Sequence, residues 1–163
     1  MTPVGPRPKV GDVFTIPIDT NRVAVGQVVD KVHKAWWVAV YDRAFNAADL
    51  IDIEAALGYR VRLLALTFDA RIRHGYWPRI GRHQVDTAAL KWPTFQTMTP
   101  DGDVVTDHHG DGVRSAGLID RVRLPRMTFV SPMTLEEGVQ ALFGARRWET
   151  HFNDLLASDA RRP

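Results

Sequence analysis

The chain has 163 residues, 45% hydrophobic and 25% charged, with no cysteine, a near-average globular composition that excludes collagen, disulfide scaffolds and wholesale disorder. Its length points to a single compact domain over residues 9–163 behind a loose, Pro-rich leader, residues 1–8. Lys and Arg total 21 against 19 Asp and Glu, a net +2; the basic pI follows because little titrates between neutrality and the pI without thiols, and it argues for no strong nucleic-acid affinity.

In chain order, Phe14, Ile16 and Ile18 share one face of a first strand, and Asp19-Thr20-Asn21 supplies a turn. A Val-rich run, Arg22 to Asp30, is broken by Gly26, which marks a bulge or a close backbone approach. Ala35 to Asp42 is apolar on both faces, so adjacent Trp36 and Trp37 are both buried only if the sheet is covered twice. These three strands form an antiparallel meander. A helix then runs from an Asn46 cap through Leu50, Ile53 and Leu57 to Gly58, placed for a left-handed end. Tyr59–Phe68 and Ile72–Ile80 read as strands, the second pushed to an edge by Pro78. Arg82 to Trp92 is an irregular connection. Thr94–Met98 and Val104–Thr106 form a hairpin around Pro100-Asp101-Gly102, and Gly117–Leu124 is a further strand. A terminal helix opens with a Thr134/Glu137 capping box and carries an apolar stripe to Leu155, with Gly144 able to divide it. The fold class is therefore α+β: a curved antiparallel sheet or open barrel with one internal helix and a C-terminal helix.

Catalytic patterns are missing. No Gly-x-Ser-x-Gly elbow or phosphate-binding loop occurs, and Asp52 and Glu54, two apart on a predicted helix, do not face each other. Asp101, Asp103, Asp107, His108, His109 and Asp111 crowd one Gly-rich loop. Adjacent histidines on extended backbone point apart, and no Glu closes an EF-hand, so the loop reads as a solvated polar segment with no metal and no cofactor. Arginine outnumbers lysine 17 to 4 and recurs two apart in predicted strands at Arg60/Arg62, Arg71/Arg73 and Arg121/Arg123. Residues two apart on a strand share a face. Together with Tyr76, Trp77 and Arg79 these would make an exposed Arg and aromatic surface suited to a protein partner.

The run Lys9-Val10-Gly11-Asp12-Val13-Phe14-Thr15-Ile16-Pro17-Ile18, then Val25-Gly26-Gln27-Val28-Val29, resembles the opening of the bacterial immunity protein 26 family. Gly75-Tyr76-Trp77-Pro78-Arg79-Ile80-Gly81 is similar to that family's later Gly-x-Trp-x-x-Ile-Gly element. The resemblance spans residues 9–81 and implies a non-enzymatic cytoplasmic protein of a polymorphic toxin system whose partner is a cognate protein toxin. It brings no catalytic residues.

Resemblance and residues together make a stoichiometric inhibitor that works by occlusion, with partner contacts at Arg71, Arg73, Tyr76, Trp77 and Arg79 and in the acidic loop at Asp103, Asp107 and Asp111. No apolar run reaches the ~20 residues of a membrane span, so no membrane partner is expected. A nucleic-acid-binding SH3-like module is the alternative, and a metal-dependent hydrolase using the His108–His109 loop is a more distant one.

Overall fold

A computed structural model describes residues 3–157. Alternating apolar side chains build β1 (Asp12–Pro17), β2 (Arg22–Val32) and β3 (Ala35–Asn46) into the expected meander. At the first turn the Asp19 carboxylate accepts from the backbone N–H groups of Asn21 and Arg22, at 3.0 and 2.9 Å. After the short helix α1 (Ile53–Leu57), β4 (Val61–Thr67) pairs with β3; α2 (Ala70–Arg73) then leads to β5 (Arg79–Arg82), which lies on the outer edge beside β1. A separate three-stranded sheet follows, from β6 (Phe95–Thr99), β7 (Gly102–Thr106) and β8 (Gly112–Ser115), and after it α3 (Leu118–Arg123). β9 (Phe129–Val130) returns to the first sheet parallel to β4, and α4 (Pro132–Leu142) and a 3-10 turn, Thr150–Leu155, complete the described chain. The main sheet is open, with order β5-β1-β2-β3-β4-β9.

Both faces of this sheet are covered. On one, Phe14, Ile16, Val28, Trp36, Val38 and Leu63 pack under Leu135 and Val139 of α4 and under Phe152 and Leu155. On the other, Val13, Val25, Trp37, Ala39 and Leu64 pack under Ala56 of α1 and under Leu90 and Phe95. Trp36 and Trp37 are both buried for this reason. Gly26 sits where the register of β2 against β3 shifts, and a Cβ there would lie 2.7 Å from Cε2 of Phe14; the glycine provides the close approach that lets this ring lie flat on the strand.

Several expectations need correction. Ile72–Ile80 is not a strand throughout: residues 70–73 wind into α2, Gly75 takes a φ of +75°, and only 79–82 pair. Gly117–Leu124 is the helix α3, because Asp120 accepts the Gly117 N–H at 2.7 Å and Arg121 and Arg123 complement the C-terminal dipole. Among the described residues there are thus three internal helices rather than one. α1 starts at Ile53 with Asp52 as its cap, since Asn46 is still paired to Arg22 in the sheet, and Gly58 is right-handed at φ −75°. Ser131, not Thr134, caps α4: its Oγ accepts the Thr134 N–H at 3.0 Å, with Pro132 at the first helical position. The split at Gly144 is present, at φ +78°. The leader, expected to be loose, is tied from Gly5 onward: Gly5 N–H donates to the Arg73 carbonyl at 2.7 Å, and Arg79 donates to the Pro6 carbonyl.

Candidate functional site

The first surface expected from the residues, Arg71, Arg73, Tyr76, Trp77 and Arg79, does not form as an exposed face. Trp77 has no exposed area. Its ring stacks on Phe14 with centroids 5.6 Å apart and planes 2° apart, and its Nε1 donates to Glu136 of α4 at 2.8 Å. The strand assignment pointed Trp77 outward; the turn after α2 points it into the core. Arg71 and Arg73, two apart on a helix rather than a strand, diverge. Arg71 reaches Glu136 at 3.5 Å and Met133, while Arg73 donates to the Gly5 carbonyl at 3.3 Å. Arg79 approaches Asp12 at 3.8 Å. These arginines are part-buried and bind their own chain. Only Tyr76 is well exposed, at 61%, with the Arg71 guanidinium 4.6 Å from its ring centroid.

The acidic loop is also more ordered than a solvated segment needs to be. Asp103 pairs with Arg121 at 3.0 Å. Asp107 accepts from the N–H groups of His109 and Asp111, both at 2.9 Å, and folds residues 107–111 into a tight turn. Partial burial raises its pKa, but those two backbone hydrogen bonds and the neighbouring imidazoles outweigh it and hold the carboxyl below the usual range. Asp111 is exposed. His108 and His109, expected to diverge, instead converge on one oxygen of Asp30 in β2, at 2.9 and 2.7 Å.

α3, like α2, was missed by sequence patterning. It buries none of its residues: Leu118, Ile119 and Val122 are 79%, 68% and 86% exposed. Polar tethers, not packing, hold it. Arg114 grips Asp120 through two nitrogens at 2.6 and 2.8 Å, which pulls the Asp120 pKa down to about 2, assisted by the Gly117 amide. At the other end, Gln96 Nε2 donates to the carbonyls of Arg121 and Leu124 at 2.9 and 2.6 Å. Leu118 and Val122 are one turn apart, so the helix presents an apolar ridge to solvent. The signals were Asp120 three residues beyond Gly117 and basic residues in the last turn.

A cavity of about 480 Å³ opens beside β3 and β4, lined among others by Gln27, Tyr41, Glu54, Asp86 and Leu90. Tyr41 donates to Gln27 at 3.0 Å, and Gln27 donates to the His83 carbonyl at 2.8 Å, so both buried polar groups are satisfied. Burial, reinforced by the charge of Asp86, pushes the Tyr41 phenol up to about 12.

The sequence model of immunity protein 26 matches residues 9–102, more than half of the chain. The chain belongs to the immunity protein 26 family. Family membership brings an immunity protein's role in toxin systems. Neither a curated protein nor a solved structure matches the chain. The immunity protein 26 match covers β1 to β6, so α3 and the His108–His109 turn lie beyond it. Within the match, the two stretches that carry the resemblance touch: Phe14 stacks on Trp77, and Arg79 approaches Asp12 at 3.8 Å, while Arg82, just beyond the second stretch, holds Asp12 at 2.8 and 2.9 Å. Among the described residues, no helix is long and apolar enough to cross a membrane.

Proposed function

We propose that this chain binds a cognate toxin in the cytoplasm and neutralises it by stoichiometric occlusion, without catalysis of its own. The observation that carries the reading is the family match over residues 9–102. A covered core and an exposed apolar helix are what a binding protein needs. The nucleic-acid alternative is weakened, because Trp77 offers no stacking platform and Arg71 and Arg73 sit two apart on a helix.

The contact surface we assign to the toxin is the ridge of α3, Leu118, Ile119 and Val122, with exposed Arg123 beside it. Exposed apolar side chains flanked by arginine are the makings of an interface core. Tyr76 with Arg71, and Asp111, are secondary candidates; Arg73, Trp77, Arg79, Asp103 and Asp107 are engaged within the fold and support their neighbours rather than reach outward. The test is co-production with the toxin encoded beside this chain's gene. Protection of the host and a one-to-one complex on size exclusion support the reading; full toxicity in the presence of folded protein overturns it.

A further inference from the structure

We propose that Asp30, His108 and His109 form a site for one divalent transition-metal cation of the zinc class, which clips the three-stranded sheet to the main sheet. The inference does not depend on the immunity role.

The sequence objection to such a site was that neighbouring histidines point apart. That holds for extended backbone, and this backbone is a turn. Asp107 gathers the N–H groups of His109 and Asp111, the Gly110 N–H donates to the Asp107 carbonyl at 3.0 Å, and Gly110 takes a φ of +86°. The two imidazoles therefore lie side by side, ring centroids 4.0 Å apart. Both present Nε2 to the same carboxylate oxygen, Asp30 Oδ2, so two nitrogens and one oxygen share a small volume. Bonds of roughly 2.0 to 2.1 Å in a tetrahedral shell put neighbouring ligand atoms about 3.3 Å apart. The contacts of 2.9 and 2.7 Å are shorter than that spacing by about 0.4 and 0.6 Å, so small rotations of the two rings admit the ion.

The surroundings fit a ligand set held in place. Trp92 stacks on His108 at 3.8 Å with planes 11° apart, and Trp37 Nε1 donates to the His108 carbonyl at 2.9 Å. These contacts fix the ring and the backbone of one ligand from outside the site. Asp107 and Asp111 stand close to His109, so three carboxylates surround two imidazoles. Imidazole nitrogen with carboxylate oxygen suits zinc, and copper or nickel, rather than calcium or magnesium. His109 is 41% exposed at its side chain, which leaves the fourth position facing solvent.

Because Asp30 comes from β2 and the histidines from the β7–β8 turn, occupancy joins elements 78 residues apart in sequence. The experiment is a titration of the chelator-treated full chain with Zn²⁺, followed by calorimetry and by thermal melting. One zinc per chain is expected, with Tm raised by roughly 8 °C at a hundredfold excess over the dissociation constant. Asp30→Asn and the double variant His108→Ala/His109→Ala weaken binding about a hundredfold or more; His33→Ala/His74→Ala/His151→Ala leaves it unchanged. Substoichiometric binding, or binding lost only in the last variant, overturns the proposal. X-ray absorption on the wild-type zinc complex needs no variant to fold: two nitrogen ligands support the site, and an all-oxygen shell overturns it.

Discussion

Trp77 lies flat against Phe14, 5.6 Å between ring centroids, and joins the two sequence stretches by which the family is recognised. Phe14 in turn rests on Gly26, so a strand, a ring and a second ring stack in three layers. Glu136 closes the stack from α4 by accepting the indole N–H, and Arg71 braces that carboxylate. The motif Gly-Tyr-Trp-Pro-Arg-Ile-Gly is thus a packing device: Gly75 turns the chain, Trp77 plugs the core, and Arg79–Arg82 pair with β1.

Trp77→Ala removes the plug, and an expected loss of about 3 to 5 kcal/mol follows from the cavity it leaves. Trp77→Phe keeps part of the stack but leaves Glu136 short of a donor, for an intermediate loss. Urea unfolding of both variants checks the order; equal stability of Trp77→Ala and wild type would contradict the stack's role.

Gly26→Ala probes the same stack from the other side. The new Cβ would meet Phe14 Cε2 at 2.7 Å and Cζ at 2.9 Å, and a ring pinned by Trp77 has nowhere to retreat. A destabilisation of about 1 to 3 kcal/mol is expected from overpacking. The double variant Gly26→Ala/Phe14→Leu recovers part of it, since the smaller side chain vacates the contested space.

On α3 the expectation reverses. Leu118→Asp and Val122→Asp touch nothing buried, so stability stays within about 0.5 kcal/mol of wild type. Toxin affinity falls at least tenfold for each if the ridge is the core of the interface. Surface plasmon resonance with the isolated toxin separates the two effects, and unchanged affinity in both variants would remove α3 from the interface.

Tyr41 sets an alkaline limit. A phenol near 12 in the folded chain and about 10 in the unfolded one favours the neutral form on folding. That contribution is complete below pH 10 and is lost as the pH rises through about 12, worth about 2 to 3 kcal/mol. Tyr41→Phe has no such group, so its stability declines less over this range. Tyrosinate absorbance should show a late component that Tyr41→Phe lacks.

How far the residues alone reveal this molecule depends on what each segment leans on. β1 to β3 were legible because alternation, Gly26 and the Asp19 turn all encode the same meander. The 95–106 hairpin was legible from Pro100-Asp101-Gly102. Residues 70–80 and 117–124 were misread because short helices mimic strands: the distant tethers of Gly5 on Arg73 and Gln96 on Leu124 lie outside any local pattern, while the Gly117/Asp120 cap of the second is a local signal that apolar spacing overrode. Trp77's burial was hidden by that same error. The His108–His109 convergence was hidden because the Asp107 turn, not the spacing, decides where the rings go.

The family match stops at residue 102, inside the β6–β7 hairpin, yet Leu135, Val139, Phe152 and Leu155 fill one face of the sheet that residues 12–67 build. The boundary of sequence kinship is therefore not a boundary of folding. Grafting the tail of a relative onto residues 1–102 would exchange core side chains along with surface, so such a chimaera has to repack one face of the sheet before its surface can be compared.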